Sequence, residues 1–193
     1  MRNEHSIHTV IVIHSLNLAI GDTMRNCDLL QKTIDNTLEL TKLIKKSPKR
    51  EAKLKQIQKS LSHEDEESET KPSVSMLCPT RWTVREKTLE TIIKNYDELQ
   101  KLWEWAAKNT TDVKMKGRIR GIAIFSSTFS YCFRIHLAAT ILSNCENLSK
   151  ALQGTQVSAV DAQATARSTA ATLKSLCTTN FELFYEKVKK ICP

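Results

Sequence analysis

The stretch "LETIIKNYDELQKLWEWA", residues 89–106, decides how the rest of the chain is read. Leu89, Ile92, Ile93, Tyr96, Leu99, Leu102, Trp103 and Ala106 recur at steps of three and four. On a helix that turns about 100° per residue they share one face, with Lys, Glu and Asp on the other. No glycine or proline interrupts the run, so it predicts one long core-facing helix. Trp105 lies two residues beyond Trp103, about 200° further round. It therefore points away from that core, toward a partner or under another helix.

Immediately upstream stands "LCPTRWTVREK", residues 77–87. The Cys78-Pro79 turn precedes Thr80 and Thr83, either of which suits the helix cap, and Glu86 follows Thr83 at capping-box spacing. Trp82 sits among Arg81, Thr80, Thr83 and Arg85. That company suits either a packing anchor or a surface on which a base stacks.

Further back, "HEDEESETKPSVS", residues 63–75, holds five acids and one large apolar residue, Val74. It predicts a solvated loop, because it has too little apolar surface to offset the entropy of ordering. Before it, Lys42, Lys45, Lys46, Lys49, Arg50, Lys53, Lys55 and Lys59 face a single acid, Glu51. Such a patch attracts polyanions by counterion release, and it is equally the composition of a solvated helix face.

The remaining helices follow from periodicity and punctuation. "HSLNLAIGDTMRNC" from His14 reads as a first helix loosened at Gly21, continued by "DLLQKTIDNTLELTKLIKK" with Leu30, Ile34 and Leu38 before Leu43 and Ile44. Ser47-Pro48 breaks the pattern and restarts it, with Ser47 as cap and Pro48 in the first turn. Leu54, Ile57 and Leu61 then give a narrow apolar stripe. From Val113 a long helical region carries Ile122, Ser126, Phe129, Phe133, Leu137, Ile141, Cys145 and Leu148, with Gly117 and Gly121 as the expected weak points. After the loop "LQGTQVS", two closing helices end the chain. "HTVIVI", residues 8–13, suits a short strand with no evident strand partner.

With 193 residues, 40% apolar composition and only four glycines and four prolines, the chain supports one substantial helical core. The expected fold is all-α, an array of six or seven helices. The expected organisation is an N-terminal segment 1–13, a basic helical segment 14–62, an acidic loop 63–76 and a helical bundle 77–193, together one domain. No run reaches the ~18 apolar residues of a membrane span, and the interrupted start does not read as a secretory signal.

Little of this points to catalysis. There is no glycine-rich phosphate loop, no nucleophile elbow and no His-Glu-x-x-His helix. His5, His8 and His14 lack a defined partner. The six cysteines, Cys27, Cys78, Cys132, Cys145, Cys177 and Cys192, are widely spaced and read as reduced intracellular thiols. Cys132 and His136 fall on one helix face, but two ligands make no zinc site, and both are expected to be ordinary core residues. No cofactor or metal is expected.

The order of a His-Ser-Leu-Asn-Leu helix, a Ser-Pro-Lys-Arg break and a Cys-Pro-Thr-Arg-Trp turn resembles the helical part of hAT-superfamily transposases and host proteins derived from them, especially the group around zinc finger MYM-type protein one. The resemblance covers nearly the whole chain after His14. It implies an all-α insertion that splits an RNase H-like core whose Asp-Asp-Glu set holds divalent metal. On that alignment the chain starts after both aspartates and stops before the glutamate, so it is expected to be a remnant or fragment without catalytic activity. His14 matches the histidine of the family's Cys-x-x-His motif, with Ile11 in the cysteine position. Arg81 and Trp82 match its Arg-Trp pair, which implies that Trp82 stacks on DNA while Arg81 holds phosphate.

Two functional classes follow. The first is an inactive, transposase-derived module that binds DNA through Lys45, Lys46, Lys49, Arg50 and Lys53 together with Arg81, Trp82 and Arg85. The second is a helical module that meets a protein partner or a second copy of itself through its Trp105 side and acidic loop. The resemblance implies a nuclear location, with which the cluster "KKSPKR" agrees.

Overall fold

The computed structural model describes residues 18–19, 21–22, 26–62, 71–77, 82–153 and 157–192. Among these, eight α-helices form and no strand: α1 Asp28–Lys45, α2 Pro48–Ser62, α3 Trp82–Lys94, α4 Tyr96–Asn109, α5 Val113–Ser126, α6 Phe129–Leu152, α7 Ala159–Cys177 and α8 Phe181–Lys189. The all-α expectation therefore holds, with a helix or two more than foreseen. His14, the suggested strand at 8–13 and most of the first expected helix lie outside the described residues.

The centre of the fold is α6, against which α1, α3, α5, α7 and α8 all pack. Its residues Tyr131, Cys132, Ile135, Ala138, Ala139 and Leu142 are buried. Phe129 and Phe133 from the expected apolar stripe are only half-buried, and they turn instead to α8. There Phe133 meets Phe181, Phe184 and Tyr185 at ring separations of 6.3, 5.7 and 5.7 Å. A second layer places α4 between α2 and α5. By contrast α7, although 19 residues long, buries none of them.

On α1 the inward face is Thr33, Ile34, Thr37, Leu40, Thr41, Leu43 and Ile44, rather than the Leu30-Ile34-Leu38 stripe alone. Each buried threonine donates its hydroxyl to a carbonyl of the preceding turn: Thr33 to Leu29 at 2.8 Å, Thr37 to Thr33 at 2.7 Å and Thr41 to Leu38 at 3.0 Å. A threonine satisfied in this way presents chiefly its methyl group, which a polar/apolar reading of the sequence counts as surface. The same hydroxyls make tertiary contacts. Thr37 shares a hydrogen bond with the Tyr131 phenol at 3.1 Å, and Thr41 accepts from the Leu77 amide at 3.3 Å.

The long helix predicted across residues 89–106 is two helices, α3 and α4, divided at Asn95. Its apolar face is as expected, with Leu89, Ile92, Leu99, Leu102, Trp103 and Ala106 buried and Ile93 and Tyr96 partly so. The break comes from the buried Asn95 side chain. Its amide donates to the carbonyls of Pro72 at 3.1 Å and Thr91 at 2.7 Å, while its oxygen accepts from Gln58 at 2.6 Å. One amide thus ties α2, α3 and the 71–77 segment together. Thr83 lies inside α3 and so is not its cap.

Of residues 71–75, read as solvated loop, Lys71, Pro72, Ser73 and Ser75 are exposed as expected, but Val74 enters the core. Val74 and Leu77 are each 1% exposed. Ser75 shares a hydrogen bond with Thr88 at 3.1 Å, and Lys71 pairs with Glu98 at 2.6 Å. A single valine among polar residues carries no local period, so only the groove it enters reveals its place.

Where the sequence foresaw breaks, it was right at Ser47 and wrong at the glycines. The Ser47 hydroxyl accepts from the Arg50 amide at 3.3 Å and α2 begins at Pro48. Gly117 and Gly121 stay helical in α5, which Asp112 caps by accepting from the Met115 amide at 2.6 Å. The break falls at Ser127-Thr128, where the Thr128 hydroxyl accepts from the Tyr131 amide and starts α6. A Cβ added at either glycine meets nothing within 4 Å. Gly117→Ala and Gly121→Ala are each expected to stabilise the protein by about 0.5–1 kcal/mol, measured by urea denaturation.

The cysteines also differ from expectation. Cys132 on α6 and Cys192, just past α8, form a disulfide with Cα atoms 5.9 Å apart. Cys27, Cys145 and Cys177 are free thiols, and burial raises the pKa of Cys145. Sixty residues separate the bonded pair, so spacing gave no sign of it.

Candidate nucleic-acid interface

The turn between α1 and α2 sorts the basic residues into two groups. Lys45 is spent on Glu51, its ammonium 2.7 Å from the carboxylate. That hydrogen bond holds the Glu51 carboxyl below the usual range against the opposing effect of burial. Arg50 is likewise committed, since its Nε–H donates to the Leu43 carbonyl at 2.6 Å near the end of α1. Both side chains therefore fix the α1–α2 angle before they serve any ligand.

Lys49 and Lys53, one turn apart on α2, reach over α4. Each ammonium lies 5.7 Å from the centre of the Trp105 ring. Trp105 is half-buried, while Trp103 is 1% exposed. The two tryptophans thus occupy opposite sides of α4, as their spacing required, and the open question about Trp105 resolves as cover by two lysine side chains. A cation over an indole face contributes about 0.5–1 kcal/mol at an exposed site. Two cations over one ring also repel each other, and an anion between them relieves that repulsion.

On the other flank of α4, α5 adds charge. Its segment "VKMKGRIRG", residues 113–121, contains no acid, and Lys114, Arg118 and Arg120 are exposed. The Arg118 guanidinium donates from Nε to Glu39 on α1 at 2.9 Å. Partial burial, and after it the nearby Arg118 charge, pull the Arg50 guanidinium below its ordinary pKa. Arg118, ion-paired to Glu39 on α1, thus lies near Arg50, while Lys49 and Lys53 on α2 meet Trp105 on α4.

The other residues singled out from the sequence fall elsewhere. Lys46 is exposed at the C-terminal end of α1. Arg81 and the side chain of Trp82 lie outside the described residues, although Trp82 opens α3. Arg85 is half-buried on α3, the helix that packs most closely on α6. The basic run of α5 was missed, and of the two places open to Trp105 the fold gives the one under another helix, α2. The acid-free stretch 113–121 was the available signal for the basic run.

No family model matches the chain, and no curated protein or solved structure matches it.

Proposed function

We propose that the chain is a catalytically inactive helical module of transposase descent that binds DNA through the face formed by α2, α4 and α5. The observation that carries this reading is the pair of ammonium groups from Lys49 and Lys53 over the Trp105 ring. Cations held over an aromatic ring suit a DNA strand whose phosphates draw the two ammonium groups off the ring and leave its outer face to an unpaired base. The resemblance around Arg81 and Trp82 supplies a second contact and a nuclear location.

The test is fluorescence anisotropy with blunt duplexes and duplexes bearing unpaired ends, across a salt series. Removing two phosphate-binding charges in Lys49→Gln/Lys53→Gln should lower the slope of log affinity against log salt by about 1.4–1.8. Trp105→Ala should leave that slope nearly unchanged and weaken binding to unpaired ends by about 1–3 kcal/mol. Trp82→Ala should cost a similar amount if the Arg-Trp turn stacks as the resemblance implies. Affinity that ignores salt, or charge variants that bind like the parent, would refute the proposal.

A protein-binding reading draws on α7 and α8. α7 buries no residue, and Val160 and Leu183 are 76% and 72% exposed. Under that reading Val160→Glu/Leu183→Glu abolishes self-association or partner binding in sedimentation experiments and leaves DNA affinity unchanged.

A further inference from the structure

Cys132 and His136 gain a third neighbour in the fold. The two sulfurs of Cys132 and Cys192 and an imidazole nitrogen of His136 lie within 4.8 Å of one another. On the imidazole, Nδ1 lies 2.9 Å from the Cys132 carbonyl, an acceptor only, and 3.8 Å from the Cys132 sulfur. A hydrogen bond to that carbonyl puts the proton on Nδ1, which leaves a lone pair on Nε2. Nε2 is buried and finds no partner among the described residues. A buried imidazole nitrogen without a partner, on a ring whose other nitrogen lies 3.8 Å from the Cys132 sulfur, is an unused metal ligand.

The disulfide is not the sole reason that the three residues meet. α8 is held on α6 by the Phe133, Phe181, Phe184 and Tyr185 contacts and by Val188, which is 1% exposed. The Cys192 amide donates to the Val188 carbonyl at 2.9 Å. Cys192 therefore stays beside α6 when the sulfur–sulfur bond is open.

We propose that Cys132, His136 and Cys192 form a redox-gated site for a thiophilic divalent cation, best matched by zinc. A dithiol reductant breaks the Cys132–Cys192 bond: two electrons and two protons pass to the cysteines as the reductant closes its own disulfide. Zinc then displaces the two thiol protons into solvent and takes both thiolates. At Zn–S lengths of about 2.3 Å a tetrahedral site sets the sulfurs about 3.8 Å apart, which the 5.9 Å Cα separation accommodates. His136 is the third ligand and water the fourth. His136 also lines an open groove of about 340 Å³ with Glu90, Lys94 and Asn144. Disulfide and metal exclude each other, so one site reports the redox state of its surroundings.

Cobalt(II) is the probe. Protein reduced with dithiothreitol and desalted without oxygen is expected to bind one equivalent, with a thiolate-to-cobalt charge-transfer band that zinc bleaches. Oxidised protein should bind none, and fresh reduction should restore binding. Cys192→Ser should weaken binding at least 100-fold, and His136→Gln at least 10-fold. Cys27→Ser/Cys177→Ser should bind like the parent. Circular dichroism separates a lost site from a lost fold, and Cys192 offers a test away from the buried Cys132. The proposal fails if the reduced parent shows no such band, or if Cys192→Ser and His136→Gln both retain parental affinity.

Discussion

Truncating Trp103 to alanine is expected to lower the free energy of unfolding by about 3–5 kcal/mol. The side chain is 1% exposed and packs in the same cluster as Leu99, Leu102, Ile119 and Ile122. Its removal leaves a void that the flanking helices, fixed by other contacts, fill only in part. The indole N–H finds no partner among the described residues. Trp103→Phe, which keeps most of the ring and deletes that unpaired donor, should accordingly cost less than about 1.5 kcal/mol. Urea denaturation checks both variants, with an unchanged m-value showing that native stability is what moved. Trp105→Ala is the contrast, because its half-buried ring packs at the edge of the core, beneath the Lys49 and Lys53 side chains. It should cost clearly less, about 1–2 kcal/mol. A Trp105→Ala loss as large as that of Trp103→Ala would overturn the assignment of the two tryptophans to opposite sides of α4.

Replacing Lys71 by methionine is expected to cost about 2–3 kcal/mol, far more than an ordinary surface lysine. The Glu98 side chain is 1% exposed and its partner is the Lys71 ammonium at 2.6 Å, with the Lys71 side chain 38% exposed. Without that ammonium, a carboxylate remains in the first turn of α4 with one oxygen already unpartnered. Breaking a fully buried pair costs about 3–5 kcal/mol, and the wetted lysine end places this one lower. The double variant Lys71→Met/Glu98→Leu removes both charges and should recover most of the loss. A double-mutant cycle with no such recovery would show that Lys71 acts through its stem and not its charge. Because Lys71 anchors the run 71–77, the single variant should also speed proteolysis there.

The candidate interface was partly legible in the sequence. Lys49, Arg50 and Lys53 are visible as a basic cluster because charge is a property of composition. That Lys45 closes on Glu51, and that Arg50 caps a carbonyl of α1, depends on the helix turn. Trp105 was placed on the outer side of its helix by rotation alone, yet nothing local says that α2 crosses above it. Cys132 and His136 were visible as an i, i+4 pair, whereas Cys192 joins them only through the docking of α8.

What the sequence determined by itself is the helical content and most inward faces. Periodic apolar residues over many turns bury well in one conformation only, and Ser47-Pro48 stops and restarts a helix by local stereochemistry. Tertiary structure decided the features that rest on one residue meeting a distant one. Asn95 divides a helix because it bonds to Pro72, Thr91 and Gln58, Val74 is buried because a groove exists to receive it, and Cys132 reaches Cys192 because aromatic rings hold α8 to α6. Local pattern is set by the free energy of short segments, whereas these contacts are chosen by the packing of segments far apart in the chain.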